Sequence, residues 1–571
     1  MALSERSSVV PSTSVLPSRR IADQVLDALA RAGVTTVFGV PGGAVVPFFD
    51  ALYDRPEIRL VCPKHEAGAM FAAAGYARSS GRLTAVFVTS GPGLLNTLNG
   101  LATAHLDGAP LLLIAGDVAT NLAGRHALQD GSAHGINVRA TTASLCLAAF
   151  DVPNAGAAMP MLHQAIAIAT SGRRGPVVLN VPLDVASAVH AESVWASPAT
   201  TAKTLPADAI RDAARALAGA KRPVIFAGSG VRRGTGAKRL ADLAEHLQVP
   251  VMTTPKGKGV FSEAHPLSLG VFGHGGHVSS QKYLEAGIDA VLVVGSSLSD
   301  PATNGWSDLL RQADTFIQVD VSPSLIGRNY VPTHVLLGEC EDILPALLAA
   351  TPKSTQERKF GVALQRSPQV HAVGDSGLIT PERAIHELSK ALPEDAVFSI
   401  DIGEHLIFGT HYLRTTRPDG FLAMTGLASM GTSIGAAMGA QLAHPDRKVV
   451  ALCGDGCFLM AVGDIASAAQ EGLPIIVAVL NDERYGMVEL GTQALYGRTR
   501  EYPIGPVDIV TTARGLGAAA HVVTKPDELQ SVLAAHTDAR KPLVLDIRID
   551  RSSRMARSAR FDSLLKTTKT S

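Results

Sequence analysis

The amino-acid sequence predicts an α/β fold with three Rossmann-like domains, each built around a parallel sheet. Short apolar runs rich in Val and Ile alternate with helical patterns along most of the chain, and buried parallel strands have this composition. The length of 571 residues suits two to four domains. Two segments, 191–206 and 351–376, interrupt the alternation with small, polar or charged residues, as linkers do. The expected units are a flexible tail at 1–17, domains at 18–190, 204–350 and 376–550, and a second tail at 551–571.

The overall composition restricts the classes of function. Hydrophobic residues make up 46% of the chain, which allows large cores. Lys and Arg together equal Asp and Glu in number, and this balance argues against binding to nucleic acid or to anionic membranes. No apolar run is long enough to span a bilayer, and residues 1–17 lack the core of a signal peptide. The five cysteines are scattered without metal-ligand spacing, so we expect reduced thiols in a cytoplasmic protein.

The first domain begins with an amphipathic helix pattern at Arg20–Gly33. A second helix pattern, Glu66–Ala77, is rich in small residues. Glu66 opens that helix, where a carboxylate is favoured by the helix dipole, so capping alone would account for it locally. The strands expected here are Val34–Val40, Ile58–Cys62, Leu83–Val88, Leu111–Ala115 and Val177–Val181.

The middle domain repeats the alternation of strands and helices. Its expected strands are Pro223–Ala227, Val251–Thr254, Ala290–Val294 and Thr315–Val319. Gly228-Ser229-Gly230 follows the first of them, but a single glycine cluster is weak evidence for a dinucleotide site.

The third domain contains the most informative stretch of the chain. Val449–Cys453 and Pro474–Leu480 are expected to be buried parallel strands, joined by a crossover helix at Phe458–Gln470. A right-handed crossover places the carboxyl ends of both strands at one edge of the sheet, where ligands of such sheets bind. A further strand is expected at Val397–Asp401.

Polar residues follow both of these strand ends. Gly454-Asp455-Gly456 ends the first strand, and Asn481-Asp482 ends the second. The glycines allow a large anion to approach the backbone, and the oxygens of Asp455 and Asn481 suit Mg²⁺, which often shares its ligands with phosphates. The next helix N-terminus would add backbone N–H groups. The sequence therefore predicts a magnesium–diphosphate site.

This motif, Gly454-Asp455-Gly456 through Asn481-Asp482, resembles the cofactor motif of the thiamine diphosphate enzymes. From about Ile21 to Asp550 the chain resembles the acetolactate synthase and 2-oxo-acid decarboxylase group of that family. The resemblance implies a pyrimidine-binding, a central and a diphosphate-binding domain. It also implies thiamine diphosphate and Mg²⁺ as cofactors, with Asp455, Asn481 and the backbone oxygen of Glu483 as metal ligands.

The segment Lys64–Ala69, followed by Gly75–Arg78, is similar to the family segment with the catalytic glutamate. In the family this carboxylate, here Glu66, hydrogen-bonds N1′ of the aminopyrimidine and so activates the coenzyme. A carboxyl in this role needs a pKa matched to the task. The resemblance also places the loop containing Pro41 against the pyrimidine.

Gly426–Gly431 resembles the family loop that holds the aminopyrimidine. The resemblance makes Met430 the apolar wedge beneath the bent coenzyme and the Ala428 carbonyl an acceptor for its amino group. A core methionine is the plainer interpretation of Met430. The other residues implied as cofactor contacts are Gly403, His405, Gly454, Gly456, Cys457, Tyr485, Gly486 and Met487. Glu404 departs from the glutamine usual in the family, and a carboxylate beside a diphosphate is unfavourable.

Residues near the expected substrate site bear on the reaction. Gly43 stands where simple decarboxylases often have an acid, and Gln129 matches a synthase glutamine although Leu128 replaces the neighbouring phenylalanine. An active site with few proton donors lets the carbanion survive long enough to attack a second carbonyl, so this pattern favours carboligation. The resemblance places Gln129 at the substrate. Glu489 lies near the position of a proton-handling glutamate of decarboxylases, with a solvated helix residue as the alternative. The tryptophan that helps synthases select the second oxo acid is absent.

The expected function is therefore a carboligase that decarboxylates a 2-oxo acid such as pyruvate and transfers the acyl carbanion to a second carbonyl. Alternatives are a 2-oxo-acid decarboxylase, a hydroxy-ketone lyase and a non-catalytic scaffold. The family pairs the first domain of one subunit with the third of another, which implies a homodimer or homotetramer. Ser297 and Pro301 replace two arginines of the FAD-containing synthases, so FAD binding is doubtful. Lys258 matches the family's entrance lysine, with a solvated loop cation as the alternative.

Overall fold

The computed structural model describes residues 18–192, 205–352, 363–366, 374, 376–538 and 540–553. The predicted tail at 1–17 lies outside the described residues, as does most of the tail at 551–571. Much of each predicted linker also lies outside them.

The first domain contains a six-stranded parallel sheet with helices on its faces. Its strands are β1 (Ser18–Arg20), β2 (Thr36–Gly39), β3 (Arg59–Val61), β4 (Thr84–Val88), β5 (Leu111–Asp117), β6 (Ala148–Asp151), β7 (Pro176–Pro182) and β8 (Val189–Ala191). Its helices are α1 (Ile21–Arg31), α2 (Val46–Leu52), α3 (Glu66–Ser80), α4 (Pro92–Asp107), α5 (Val138–Thr142), α6 (Ala155–Thr170) and α7 (Leu183–Ser187). The sheet order is β3-β2-β4-β5-β7-β6, while β1 and β8 pair antiparallel and join the two ends of the domain.

The central domain repeats this architecture. Its strands are β9 (Pro223–Ala227), β10 (Val251–Thr253), β11 (Ser268–Val271), β12 (Ala290–Val294), β13 (Thr315–Asp320) and β14 (His334–Leu337). Its helices are α8 (Ala207–Gly219), α9 (Gly236–Leu247), α10 (Val278–Glu285), α11 (Asp300–Thr303) and α12 (Cys340–Ala350). The order of the parallel sheet is β11-β10-β9-β12-β13-β14.

The third domain has a sheet of the same kind. Its strands are β15 (Val397–Ile400), β16 (Phe421–Ala423), β17 (Val449–Gly454), β18 (Ile476–Asn481), β19 (Ala519–Val523) and β20 (Leu543–Arg548). Its helices are α13 (Pro381–Ala391), α14 (Glu404–Tyr412), α15 (Ser433–Ala443), α16 (Asp455–Met460), α17 (Gly463–Gln470), α18 (Gly486–Tyr496), α19 (Ile509–Gly515) and α20 (Pro526–Ala535). The order is β16-β15-β17-β18-β20-β19, and β17 and β18 are neighbours in its middle.

The prediction of three parallel α/β domains is confirmed. Sequence reasoning missed edge strands such as β14 and β19, because several of their residues are exposed and they lack the continuous apolar pattern of a buried strand. The prediction of one crossover helix at Phe458–Gln470 is wrong, because the chain forms two helices, α16 and α17. Ala461 ends α16 with a ψ of 19° and turns the chain before α17 begins.

The first and third domains share one hydrophobic core, which runs from Phe38 on β2 to Val477 on β18. Helices α3 and α15 pack closely at its centre. A Cβ added at Gly75 would overlap the backbone of Ala436, and one added at Gly439 would overlap that of Ala72. The glycines therefore permit a helix contact too close for any side chain, and this contact attaches α3 firmly to the third domain.

None of the helices in the described ranges has both the length and the apolar character needed to cross a bilayer.

Candidate functional site

The carboxyl ends of β17 and β18 lie side by side, because Gly454 is in register with Leu480. Asp455 begins α16 directly after β17, and Asn481 is the last residue of β18. Both side chains are buried, with exposures of 5% and 4%. The parallel crossover thus brings together the two polar residues that the sequence singled out.

The buried carboxylate of Asp455 has a partner for only one of its two oxygens within the described ranges. Its Oδ1 accepts a hydrogen bond of 2.9 Å from the Gly456 amide, but its Oδ2 is buried without a partner among the described residues. Burial, and then the charge of Asp482, raises the pKa of Asp455 to about 7, although the Gly456 and Glu483 amides act in the opposite direction. A bound cation would compensate for this burial, so the carboxylate fits a metal ligand.

The amide of Asn481 is held from both sides. Its Nδ2 donates to Asp546 Oδ1 at 2.8 Å, and its Oδ1 accepts from the Glu483 amide at 3.1 Å. The same Glu483 amide supports Asp455, so the two oxygens converge on one turn. Glu483 itself has a left-handed φ of 60°. Carboxylate, amide and carbonyl oxygens are the donor set that Mg²⁺ prefers, and these residues fit that ion.

A cleft of about 780 Å³, including open solvent, lies in front of the strand ends of the third domain. Ten of the predicted cofactor residues line it, and they are Gly403, His405, Met430, Gly454, Asp455, Gly456, Cys457, Tyr485, Gly486 and Met487. Asn481 and Glu483 instead line an adjoining cavity, which shares Asp482 and Asp550 with the cleft. The structure therefore brings these predicted residues together at one sheet edge.

His405 and Glu404 face this cleft from the start of α14. Burial lowers the pKa of His405 to about 4, although Asp401 opposes the shift, so its imidazole is neutral. The Nε2 atom of His405 has no hydrogen-bond partner in the described part of the chain. Glu404 and Asp482 both approach Gly486 and lie near the Arg484 guanidinium. That cation offsets part of the negative charge that Glu404 adds to the cleft.

Asp401 is a functional residue that sequence reasoning missed. It is fully buried, and its carboxylate accepts hydrogen bonds from the amides of Ile402, Gly431 and Ser433 at 2.8–2.9 Å. These bonds hold the loop that carries Met430, which lines the cleft, and the exposed Ala428, whose φ is 62°. The sequence signal that could have identified Asp401 is its position as an aspartate at the end of the strand expected at Val397–Asp401.

Glu66 is the first residue of α3 and is half-buried. Its Oε2 accepts a hydrogen bond of 2.9 Å from Asn96 on α4. A Cβ at Gly93 would stand 3.4 Å from Glu66 Oε1 and 2.9 Å from Thr89 Cγ2. The loop that follows β4 therefore lies directly against the predicted catalytic carboxylate.

Two further predicted residues lie at the same loop. A Cβ at Gly42, beside Pro41, would stand 2.6 Å from Thr89 Cβ. Gln129, which has a left-handed φ of 62°, packs against Gly91, where a Cβ would stand 3.0 Å from Gln129 Cβ. The first domain thus gathers the Pro41 loop, Glu66 and Gln129 into a second cluster.

Among the described residues, the lining of the cleft includes no member of the cluster around Glu66. Every residue that lines the cleft lies between 381 and 553, so none belongs to the first domain. Glu66 therefore does not complete the cleft of its own chain in the described ranges.

Glu489 is 5% exposed and does not line the cleft, although its neighbour Val488 does. Its Oε2 accepts from Arg484 Nη1 at 2.9 Å, and its Oε1 accepts from the Tyr502 amide at 3.1 Å. Its role in proton handling stays a prediction, and the alternative of a solvated helix residue is wrong because the side chain is buried and ion-paired.

Lys258 is fully buried and forms an ion pair with Glu263. The second Glu263 oxygen accepts from Arg366 at 2.7 Å and from the Thr415 amide at 3.1 Å. Burial lowers the pKa of Lys258 to about 8. Lys258 is therefore neither a solvated loop cation nor an exposed entrance residue in this chain; it lies where the central domain meets the third domain.

A separate cavity of about 720 Å³, including open solvent, lies at the strand ends of the central domain. Ser297, Gly295 and Gly230 line it together with Arg233 and Lys256. The doubt about FAD rested on Ser297 and Pro301, and it stays a prediction.

Comparison with known proteins identifies the family. Residues 19–136 match the description "Thiamine pyrophosphate enzyme, N-terminal TPP binding domain", residues 210–347 the central domain and residues 401–547 the C-terminal TPP binding domain. Thiamine pyrophosphate is another name for thiamine diphosphate. The three matches follow the order of the three sheets along the chain.

Curated relatives extend over nearly the whole chain. A probable acetolactate synthase large subunit from Methanocaldococcus jannaschii is 32% identical, with 93% of this chain and 92% of the relative covered. The acetolactate synthase large subunit from Corynebacterium glutamicum is 33% identical, with coverages of 93% and 87%.

Among solved structures, a thiamine diphosphate-dependent 4-hydroxybenzoylformate decarboxylase from Rhodococcus jostii has the same fold. The TM-score is 0.82 at 24% identity, with 94% of this chain and all of that chain covered. The matched domains and the relatives at 30% identity or more agree with the cleft at the strand ends. The chain belongs to the thiamine pyrophosphate enzyme family.

Proposed function

We propose that this protein is a thiamine diphosphate-dependent carboligase that decarboxylates a 2-oxo acid and joins the remaining acyl group to a second carbonyl. The observation that carries the proposal is the buried Oδ2 of Asp455, which has no hydrogen-bond partner among the described residues and lies beside Asn481 at the strand ends. When bound, thiamine diphosphate supplies the electron sink that decarboxylation of a 2-oxo acid requires.

The residues of the third domain would hold the coenzyme. Asp455, Asn481 and the backbone oxygen of Glu483 would bind Mg²⁺, and the cation would offset the negative charge of the diphosphate. The Nε2 atom of the neutral His405 has no partner within the described part of the chain and could contact a phosphate oxygen. Met430 lines the same cleft and would pack against the bound coenzyme.

Glu66 would act on the pyrimidine of a coenzyme bound by a partner subunit, in at least a homodimer. Within the described ranges, no residue of the first domain lines the cleft of its own chain, which supports this arrangement. Apolar side chains are exposed beside both clusters: Leu95 at 45%, Leu128 at 87%, Leu427 at 42% and Met460 at 57%. A contiguous apolar patch marks a surface that another protein covers, and in the proposed dimer these side chains would contribute to one.

The surroundings of Glu66 support carboligation over release of aldehyde. Glu66 accepts a hydrogen bond from the side-chain amide of Asn96, and Gln129 packs against Gly91 in the loop after β4. His126 and His134 lie in an exposed loop. A site with few proton donors favours transfer of the acyl group to carbon over its protonation. The similarity to acetolactate synthase large subunits supports the same reaction class.

Product analysis tests this proposal. The purified protein is incubated with thiamine diphosphate, Mg²⁺ and pyruvate, alone and with added aldehydes, and the products are identified by mass spectrometry. A 2-hydroxy-3-oxo acid or a 2-hydroxy ketone is expected. Acetaldehyde without a carboligated product would instead identify a decarboxylase, and cleavage of a hydroxy ketone without any oxo acid a lyase.

Glu66→Gln provides the residue-level test. We expect turnover to fall by about 10²–10⁴-fold, because general acid–base catalysis contributes on that order. Coenzyme binding, measured by calorimetry, should persist because the diphosphate residues are intact. Unchanged turnover would contradict the assignment, and absence of turnover in the wild-type protein with coenzyme bound would favour the scaffold.

A further inference from the structure

We propose that Asp546 and Arg548 are positioning residues for the metal site, which set the amide of Asn481 so that its oxygen faces the cation. This inference rests on the Mg²⁺ site proposed above. Neither residue lines the cleft, and sequence reasoning assigned a role to neither.

The sheet register places the three side chains together. Asn481 pairs with Arg548 across β18 and β20, and Val479 pairs with Asp546. Because side chains two residues apart on a strand share one face of the sheet, Asp546 lies on the same face as Asn481. Asp546 is only 1% exposed, so its carboxylate depends on protein partners.

The hydrogen bonds determine which end of the Asn481 amide points where. Asn481 Nδ2 donates to Asp546 Oδ1 at 2.8 Å. An ionised carboxylate only accepts hydrogen bonds, so it binds the NH₂ group of the amide and not the oxygen. The Asn481 oxygen therefore points the opposite way, where it also accepts from the Glu483 amide at 3.1 Å.

Arg548 fixes the carboxylate in turn. Its Nε and Nη2 atoms lie 3.0 and 2.8 Å from Asp546 Oδ2, which leaves Oδ1 for Asn481. The third nitrogen, Nη1, donates to Glu483 Oε1 at 2.7 Å, and Arg551 donates to Glu483 Oε2 at 3.0 Å. One network thus joins Asn481 and Glu483, the two proposed ligands at the end of β18.

An asparagine ligand needs such a partner. Its NH₂ group and its oxygen have nearly the same shape, and a half-turn of the amide would present N–H groups to the cation. An aspartate would present an oxygen either way. Loss of an outer partner of a metal ligand typically weakens metal affinity about 10–100-fold.

A simpler explanation is that the charge of Asp546 attracts the metal. A double-mutant cycle separates the two explanations. Orientation of the amide at position 546 depends on Arg548, whereas the charge of Asp546 is the same with or without Arg548. The four proteins are the wild type, Asp546→Asn, Arg548→Gln and the double variant. The measurement is the Mg²⁺ dissociation constant by calorimetry at saturating thiamine diphosphate, with thermal unfolding as the check of folding.

In the wild-type background, Asp546→Asn should weaken Mg²⁺ binding about 10–100-fold. Arg548 donates only and will attract the new amide oxygen, so the NH₂ group turns towards Asn481 and the acceptor is lost. In the Arg548→Gln background, the same change should cost less than about 3-fold, well under the usual loss for an outer partner, because the amide is free to turn its oxygen to Asn481. Equal losses in the two backgrounds, or no loss in either, would overturn the proposal.

A second pair of variants keeps the test decisive if Asp546→Asn alone does not fold. In Asn481→Asp the ligand is symmetric, and it faces the Asp546 carboxylate directly. Adding Asp546→Asn should then strengthen Mg²⁺ binding, because an NH₂ group replaces a repelling oxygen. Weaker binding in this double variant would overturn the inference. A wild-type protein that binds no Mg²⁺ would overturn the proposed metal site itself, which is a distinguishable result.

Discussion

Asp464 is a buried carboxyl whose replacement should stabilise the protein. It is the second residue of α17, is 5% exposed and lies against Gly68 on α3, close to the position a Cβ of Gly68 would take. Within the described ranges, no group donates a hydrogen bond to its carboxylate. Burial alone raises the pKa of Asp464 from the ordinary 3.8 to about 7.

The sign of the effect follows from proton binding. The folded state holds this proton more tightly than the unfolded state between pH 4 and pH 7, so stability falls as pH rises through that window and is level above it. A shift of about three pKa units corresponds to about 4 kcal/mol. Asp464→Asn cannot ionise, so its advantage over the wild type should grow by about 2–3 kcal/mol between pH 5 and pH 8.

Thermal unfolding of the cofactor-free protein at pH 5 and pH 8 measures this difference. For a domain of the size of the third, about 1 kcal/mol corresponds to about 2–4 °C, so the gap in Tm should widen by roughly 4–12 °C. Asp446→Asn, which changes an exposed carboxylate of the same domain, is the matched control and should show no such widening. If the gap for Asp464→Asn is the same at both pH values, Asp464 has a partner that keeps it ionised, and the reasoning from burial is wrong.

Three further predictions test the site and the packing. Asp455→Ala should abolish Mg²⁺-dependent binding of thiamine diphosphate, measured by calorimetry, and retained tight binding would reject Asp455 as a ligand. Lys258→Met should lower the free energy of unfolding by about 1–3 kcal/mol, because one oxygen of the buried Glu263 loses its partner while Arg366 still pairs with the other; an unchanged melting temperature would contradict that account. Gly75→Ala should strongly destabilise the protein by separating α3 from α15. Gly491→Ala, at an open helical position, should instead stabilise it by about 0.5–1 kcal/mol, and similar melting temperatures for the two variants would refute the packing argument.

Much of the fold and half of the site follow from local sequence. Continuous Val- and Ile-rich runs such as β17 and β18 can be recognised as strands from the sequence, because a strand that is buried on both faces is almost entirely apolar. Asp455 follows β17 directly and Asn481 ends β18, and the handedness of a parallel crossover is general. The magnesium–diphosphate prediction therefore needed only the order of residues along the chain.

Contacts between distant segments could not be derived in this way. Asp546 follows Asn481 by many residues and reaches it only because β20 lies next to β18 in the sheet. The burial of Lys258, the ion pair of Glu489 and the three amides around Asp401 likewise depend on which segments meet.

The sequence by itself determined the three sheets, the two residues at the central strand ends and the family that they indicate. Only the tertiary structure decided which carboxylates are paired, protonated or left without a partner, and that Glu66 lies outside the cleft of its own chain. The physical reason is that strand composition and turn chemistry act between neighbouring residues, whereas burial and electrostatics depend on every group within a few ångströms, wherever it lies in the chain.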